Sequence, residues 1–157
     1  MINVISLGND FCGDDGIGPR VVEQLTKHKL PIPTKFINAG EDAFIVLEYL
    51  VQSDPVFLVD CARMGTAPGT IRRFNAADVL LHSADQLISM HGFSFAEIFN
   101  MAKAVGKPAP CTVFGIEPKD VQFGSALSWE VEKSIPAAVN MIVEEIKNYA
   151  DSENINH

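Results

Sequence analysis

The chain has 157 residues, which suits one domain of ordinary size, and 47% of them are hydrophobic, enough to form a buried core. The formal net charge is −8, and such an acidic surface repels nucleic acids and anionic membranes, so we expect neither as a partner. The three cysteines, Cys12, Cys61 and Cys111, show no paired spacing, which argues against a disulfide framework and favours a reducing compartment.

The sequence shows no sign of export or of membrane insertion. Residues 1–7 begin directly with a strand-like apolar run and lack the basic region of a signal peptide. No apolar run approaches the ~20 residues that cross a bilayer. We therefore expect a cytoplasmic protein, and we expect it to be a monomer.

The first half of the chain alternates strand patterns with helix patterns. The apolar run over 2–7 predicts a buried strand that leads into a loop rich in glycine and aspartate. An amphipathic helix should follow, because four apolar residues then share one helical face: Ile17, Val21, Val22 and Leu25. The next predicted elements are a strand over 34–37, a helix capped by Asp42 that runs to about Gln52, and a strand over 56–59 that ends on Asp60.

The second half continues this alternation. Its predicted elements are a strand over 70–74, a helix from His91 to about Val105, a strand over 111–116 and a final helix with one apolar face. Pro136 falls inside that final helix and predicts a kink or a restart. Residues 76–90 fit no single pattern, and the polar tail 151–157 is expected to fray.

These elements predict an α/β fold with one domain over residues 1–150. The strands are continuous apolar runs, which favours a mostly parallel, twisted sheet of about five strands with helices on both faces, a three-layer α/β/α sandwich. Ligands of such folds bind beyond the carboxyl ends of the strands. Asp15, Asp60 and Glu117 all follow or end predicted strands, so we expect them along one edge of the sheet.

Asp60 is the first candidate functional residue. Four apolar residues precede it, and a carboxylate there must be hydrogen-bonded, paired or metal-bound, because burying an isolated charge is costly. A turn or cap after the strand is the competing explanation. The neighbouring pair Asp14 and Asp15 precedes a helix N-terminus, where one of them can cap the helix while the other faces the cleft. We expect Asp15 to be the one that faces the cleft.

His91 is the third candidate, although a lone histidine is more often a surface or capping residue. The predicted helix that it opens should begin near the same sheet edge. Together Asp15, Asp60 and His91 would offer three ligands with open positions, a set that suits nickel, zinc or iron. The spacing is a weak signal alone, because the chain has no HExxH or paired CxxC motif.

Three other chemistries are less well supported. The glycine-rich loop over 8–18 lacks the GK[ST] of a phosphate-binding loop, and its aspartates would repel phosphate. Cys12 and Cys61 each neighbour a candidate aspartate, but no basic partner marks either as a nucleophile. A serine triad is disfavoured because the chain contains no GxSxG elbow.

Five segments resemble, in order, the motifs of the nickel-iron hydrogenase maturation endopeptidases. They are Leu7-Gly8-Asn9 with Gly13 to Val22, then Phe57-Leu58-Val59-Asp60, Pro68-Gly69-Thr70, His91-Gly92-Phe93-Ser94 and Gly115-Ile116-Glu117-Pro118. The first motif is quite specific, whereas the others are short. The resemblance departs from the family at Ser6, where glycine is frequent, and after Gly40, where Glu41-Asp42 replaces a Gly-Thr type pattern.

The resemblance implies an enzyme that removes a C-terminal extension from a hydrogenase large-subunit precursor after nickel has been inserted. The family's three metal-contacting positions map onto Asp15, Asp60 and His91. Nickel would then be recognised as part of the substrate. Either the nickel acts as a Lewis acid or delivers a hydroxide, or Asp15 or Asp60 acts as the general base on water. Two rivals stay open: a nickel or precursor chaperone that binds without cutting, and a peptidase of the same fold, similar to the spore germination proteases, that cuts without nickel.

Overall fold

A computed structural model describes the protein over residues 1–78 and 95–157. In this part of the chain one sheet contains five strands: β1 (Ile2–Ser6), β2 (Thr34–Asn38), β3 (Val56–Cys61), β4 (Ile71–Asn75) and β5 (Cys111–Ile116). Their order across the sheet is β2-β1-β3-β5-β4. All neighbouring pairs are parallel except β4 with β5, which confirms the mostly parallel sheet that the sequence predicts.

Helices cover both faces of this sheet. They are α1 (Ile17–Leu25), α2 (Ala43–Leu50), α3 (Phe95–Val105), α4 (Trp129–Glu132) and α5 (Ile135–Ile155), and a 3-10 helix (Gly13–Gly16) leads directly into α1. One core cluster packs α1, α4 and α5 on the sheet. The second core cluster packs α2 and α3 on the opposite face. This arrangement is the predicted three-layer sandwich.

Local sequence signals explain where several elements begin. Val21, Val22 and Leu25 of α1 are buried on its apolar face, as predicted. Asp42 caps α2, because its carboxylate accepts a hydrogen bond from the backbone N–H of Phe44 at 3.0 Å. The restart predicted at the proline is also confirmed, since α4 ends at Glu132 and α5 begins at Ile135, with Pro136 in its first turn.

Two details differ from the sequence prediction. The tail predicted to fray from residue 151 is helical as far as Ile155, because α5 simply continues its backbone hydrogen bonding. Strand β3 runs through Asp60 to Cys61, so this aspartate lies within the strand. The predicted helix start at His91 is untested, because it lies outside the described residues; the described helix α3 begins at Phe95.

No helix within residues 1–78 and 95–157 is both long enough and apolar enough to span a bilayer.

Helix α1 approaches the sheet unusually closely at Gly18. A Cβ atom added there would lie 2.5 Å from the carbonyl oxygen of Leu7 and 2.7 Å from that of Val59. Both atoms belong to the backbone and cannot move independently of the sheet. The absence of a side chain at Gly18 therefore lets α1, and the 3-10 helix before it, sit directly on the carboxyl ends of β1 and β3.

We expect Gly18→Ala to lower the free energy of unfolding by about 1–3 kcal/mol, because the new methyl group overpacks this contact. Gly106→Ala is the matched control, since no atom lies within 4 Å of its added Cβ. Urea denaturation of both variants measures the difference. Equal midpoints for the two variants would contradict the close-packing argument.

Candidate active site

Asp15 lies in the 3-10 helix that follows β1, and its side chain is only 4% exposed. Its Oδ2 accepts a hydrogen bond from the backbone N–H of Asn9 at 3.0 Å. The Asn9 side chain in turn accepts from the N–H of Phe11 at 2.9 Å. These two bonds close residues 9–15 into a compact loop, and the Asp15 backbone packs against Gly8 just after β1.

Asp60 lies on β3 with 7% of its surface exposed. It lines a small pocket on the face of the sheet that α2 and α3 cover, and the other lining residues are apolar: Leu7, Ala43, Val46, Leu58, Phe95 and Ile98. A buried carboxylate must be hydrogen-bonded, paired or metal-bound, because an isolated buried charge is costly. Its burial favours a functional role for Asp60 over a simple turn or cap.

The candidate carboxylates lie close enough to Cys61 for their charges to affect its thiol. Burial is the largest cause that raises the pKa of Cys61, and the negative charges of Asp60, Asp15 and Asp14 raise it further. The strands that lead to them are neighbours, and the N–H of Leu7 donates to the carbonyl of Val59 at 3.1 Å. Asp15 and Asp60, which are 45 positions apart in the sequence, therefore lie near the same edge of the sheet.

The same observation disfavours a cysteine nucleophile at this edge. A thiol must lose its proton to attack, and burial, reinforced by the three carboxylates, raises the pKa of Cys61 and keeps the proton on it. Burial raises the pKa of Cys111 to about 12, so this thiol is inert as well. Cys12 is half-buried just before the 3-10 helix, and none of the three cysteines forms a disulfide.

Asp14 has a different role from the one that the sequence predicts. We expected one aspartate of the pair to cap a helix, but neither the 3-10 helix nor α1 has a side-chain cap. The Asp14 side chain is instead fully buried and ties down residues 119–128. It accepts hydrogen bonds from the backbone N–H groups of Lys119 (2.8 Å), Asp120 (3.0 Å) and Ser128 (2.6 Å), and from Ser128 Oγ (2.8 Å).

These bonds determine the charge state of Asp14. Burial raises the pKa of its carboxyl group, but the hydrogen bonds from Asp120, Ser128 and Lys119 together outweigh burial. The pKa of Asp14 therefore lies below its ordinary value of 3.8. The group is an ionised structural anchor at neutral pH.

Glu117, which the sequence predicts at the same edge of the sheet, is a second buried anchor. Its side chain is 6% exposed and accepts hydrogen bonds from the backbone N–H groups of Met64 at 2.7 Å and Thr66 at 3.0 Å. It thus fixes the loop that follows β3. Ser128, which donates to Asp14, also caps α4, because its side chain accepts a hydrogen bond from the N–H of Val131.

His91 lies outside the described residues, four positions before Phe95 in the sequence. Within residues 1–78 and 95–157 no group of three or more His, Cys, Asp or Glu side chains is placed to hold a metal ion. The described part of the site thus supplies two of the three predicted ligands, Asp15 and Asp60. The nickel-contacting role of the three residues stays a prediction.

Comparison with known proteins settles the family. The family model of the hydrogenase maturation proteases, HycI, matches residues 19–145. The chain belongs to this family. It is accordingly a peptidase, and the resemblance found in its sequence motifs is confirmed.

Individual members of the hydrogenase maturation protease family cover nearly the whole chain. HupD of Rhodobacter capsulatus, a hydrogenase expression/formation protein, is 26% identical over 92% of this chain and 70% of its own length. A candidate hydrogenase maturation protease of Methanocaldococcus jannaschii is 30% identical over 93% of this chain and 96% of its own length. The solved structure of the hydrogenase maturating endopeptidase HybD of Escherichia coli has a TM-score of 0.80 at 24% identity, covering 94% of this chain and 93% of that one. The fold is therefore the same as in HybD.

We expect Asp14→Asn to lower the free energy of unfolding by at least about 2 kcal/mol at neutral pH, because an amide cannot accept all four hydrogen bonds. A folded-state pKa below the unfolded value of 3.8 stabilises the protein above that pH, and the stabilisation is lost as the pH falls through the folded pKa. The gap between wild type and variant should therefore narrow in acid. Urea denaturation from pH 7 to pH 3 measures it.

The control for this experiment is Asp151→Asn, which changes an exposed aspartate on α5. It should leave the unfolding midpoint within experimental error of wild type at every pH. An Asp14→Asn protein as stable as Asp151→Asn at pH 7 would show that the buried carboxylate is no anchor.

Proposed function

We propose that this protease removes a C-terminal extension from the large-subunit precursor of a nickel-iron hydrogenase after nickel insertion. The observation that carries the proposal is the pair of buried carboxylates, Asp15 and Asp60, near the same carboxyl edge of the sheet. This edge is where ligands of parallel α/β sheets bind. Membership of the hydrogenase maturation protease family supports the choice of substrate.

In this proposal the substrate brings its own nickel ion. Asp15 and Asp60, together with His91, complete the coordination of a nickel ion that cysteines of the precursor already hold. Carboxylate and imidazole are suitable ligands for such an ion. Docking on the nickel places the scissile peptide beside the site, so a precursor without metal is not cut and the protease needs no resident metal.

Hydrolysis then needs a base, a nucleophile and an exit for the leaving group. Asp15 or Asp60 takes a proton from water as the water oxygen bonds to the scissile carbonyl carbon. The carbon–nitrogen bond breaks, and the released amine keeps the electron pair and takes up a proton. The nickel of the substrate can assist as a Lewis acid. The hydrogen bond from the Asn9 N–H holds the Asp15 carboxylate in place, and the apolar residues that line its pocket hold Asp60.

We also propose that the protein works in the cytoplasm as a monomer. Its three cysteines form no disulfide, which fits a reducing compartment. The large-subunit precursor is its partner, whereas nucleic acids and membranes are not, because the net charge is −8.

We expect Asp15→Asn and Asp60→Asn each to slow processing by at least about a hundredfold, because the amide is neither a base nor a strong nickel ligand. Mass spectrometry of nickel-loaded precursor follows the loss of the extension. Asp151→Asn should cut at the wild-type rate. Circular dichroism and urea denaturation verify that the inactive variants are folded, and a folded Asp60→Asn protein with full activity would remove Asp60 from the site.

Nickel dependence separates the proposal from its two rivals. We expect cleavage of the nickel-loaded precursor and none of the metal-free precursor. A peptidase that ignores nickel would cut both forms equally, and a chaperone would bind the loaded form and cut neither.

His91→Ala should bind the nickel-loaded precursor at least about tenfold more weakly than wild type, because it removes one nickel ligand. Calorimetric titration measures the affinity with and without the His91 substitution. Both proteins also carry Asp60→Asn, which prevents cleavage during the measurement. The metal-free precursor serves as the control, since the His91 substitution should not change its affinity. Equal affinity of both proteins for the loaded precursor would exclude His91 from nickel recognition.

A further inference from the structure

Two phenylalanines near the candidate site are left largely in solvent. Phe11 is 71% exposed and Phe123 is 84% exposed. We call this pair the aromatic lip. Exposed aromatic residues that lie together beside a functional site commonly mark a binding surface, whereas single exposed apolar residues need no explanation.

The two residues belong to loops that are hydrogen-bonded to each other. The N–H of Gly124 donates to the carbonyl of Phe11 at 2.7 Å, and the N–H of Gly13 donates to the carbonyl of Ser125 at 3.1 Å. The approach is so close that a Cβ atom on Gly13 would lie 2.6 Å from the carbonyl oxygen of Asp120. Phe11 and Phe123 are thus carried by one paired backbone unit.

The buried carboxylate of Asp14 fixes this unit. Its four hydrogen bonds hold residues 119–128 against the 3-10 helix, and the N–H of Asp14 itself donates to the carbonyl of Asp120 at 2.8 Å. A surface that is held before binding loses less conformational entropy when a partner arrives. Asp14 is therefore a positioning residue for the lip.

Part of the aromatic lip lies on the same loop as Asp15. Phe11 lies in the loop that the bond between the Asn9 N–H and the Asp15 carboxylate closes. Only four positions separate Phe11 from Asp15 in the sequence. The loop that carries Phe11 is therefore the loop that ends at Asp15.

The charged residues beside Phe11 and Phe123 indicate which kind of peptide can bind there. Asp10 next to Phe11 is exposed, and Asp120 is partly exposed in the other loop. The nearby cations are paired with carboxylates: Lys119 lies 2.8 Å from Glu130, and Arg20 lies 3.8 Å from Glu132. An acidic segment would be repelled by this surround, whereas an apolar segment can cover the two rings.

We propose that the aromatic lip binds an apolar, non-acidic segment of the precursor and so contributes to substrate affinity. This inference rests on the proposed function, since it names a further contact of the same substrate. Trp129 is also 70% exposed, but it is not part of the lip because the Lys133 ammonium group lies 3.9 Å from the centre of its ring. Val105 and Ile155 are exposed at the ends of separate helices.

The test compares Phe11→Ala, Phe123→Ala and the double variant with wild type, using nickel-loaded precursor. We expect each single substitution to raise KM and Kd about tenfold and to leave kcat within about twofold. The unfolding midpoint should not change, since neither side chain is buried. Ile155→Ala is the matched control, because Ile155 is 84% exposed, like Phe123, and lies far along the chain from both loops.

Each result bears on one of the two proposals. If wild type cuts the precursor and the lip variants keep its KM and Kd, the lip is not a substrate contact, although the proposed function stands. If wild type binds without cutting, the protease function fails and the Kd values still test the lip. If wild type neither cuts nor binds, both proposals fall.

A second copy of the chain is the competing occupant. Sedimentation velocity over a range of protein concentrations should give the same monomeric mass for wild type and for the double variant. A wild-type dimer that the double variant abolishes would assign the lip to self-association and overturn the proposal.

Discussion

The rest of the site depends on the buried carboxylate of Asp14. It accepts four hydrogen bonds from residues 119–128, and its pKa lies below the ordinary value because those bonds outweigh the effect of burial. A charge with this many donors is well compensated, so the protein can bury it completely. The bonds join the loop after β1 to the segment between β5 and α4. The position of Asp15, which follows directly in the chain, is set by this junction.

Buried carboxylates divide into two kinds at this edge of the sheet. Asp14 and Glu117 accept hydrogen bonds from the backbone of distant loops, and they determine where those loops lie. Asp15 and Asp60 are buried as well: Asp15 accepts a hydrogen bond from the N–H of Asn9, and Asp60 lines a small pocket between the sheet and helices α2 and α3. The first kind stabilises the fold, and the second kind carries the chemistry that we propose.

Much of the fold could be predicted from the sequence because hydrophobic periodicity and helix caps are local signals. The strand over 111–116, the cap at Asp42 and the restart at Pro136 are examples. The role of Asp14 could not be predicted, since its partners lie more than 100 positions away and no local pattern marks them. The sequence likewise placed Asp15 and Asp60 at one edge through the topology of parallel sheets, but not the anchoring by Glu117. His91 stays a prediction, as it lies outside the described residues.

The central claim is that Asp15, Asp60 and His91 complete the coordination of the substrate's nickel ion. X-ray absorption at the nickel edge measures that coordination directly, using precursor made resistant to cleavage at the scissile bond. Wild-type protease should add oxygen or nitrogen neighbours to the nickel, and a protein carrying both Asp15→Asn and Asp60→Asn should add fewer. A nickel spectrum that wild-type protease leaves unchanged, in a complex shown to form, would contradict the account.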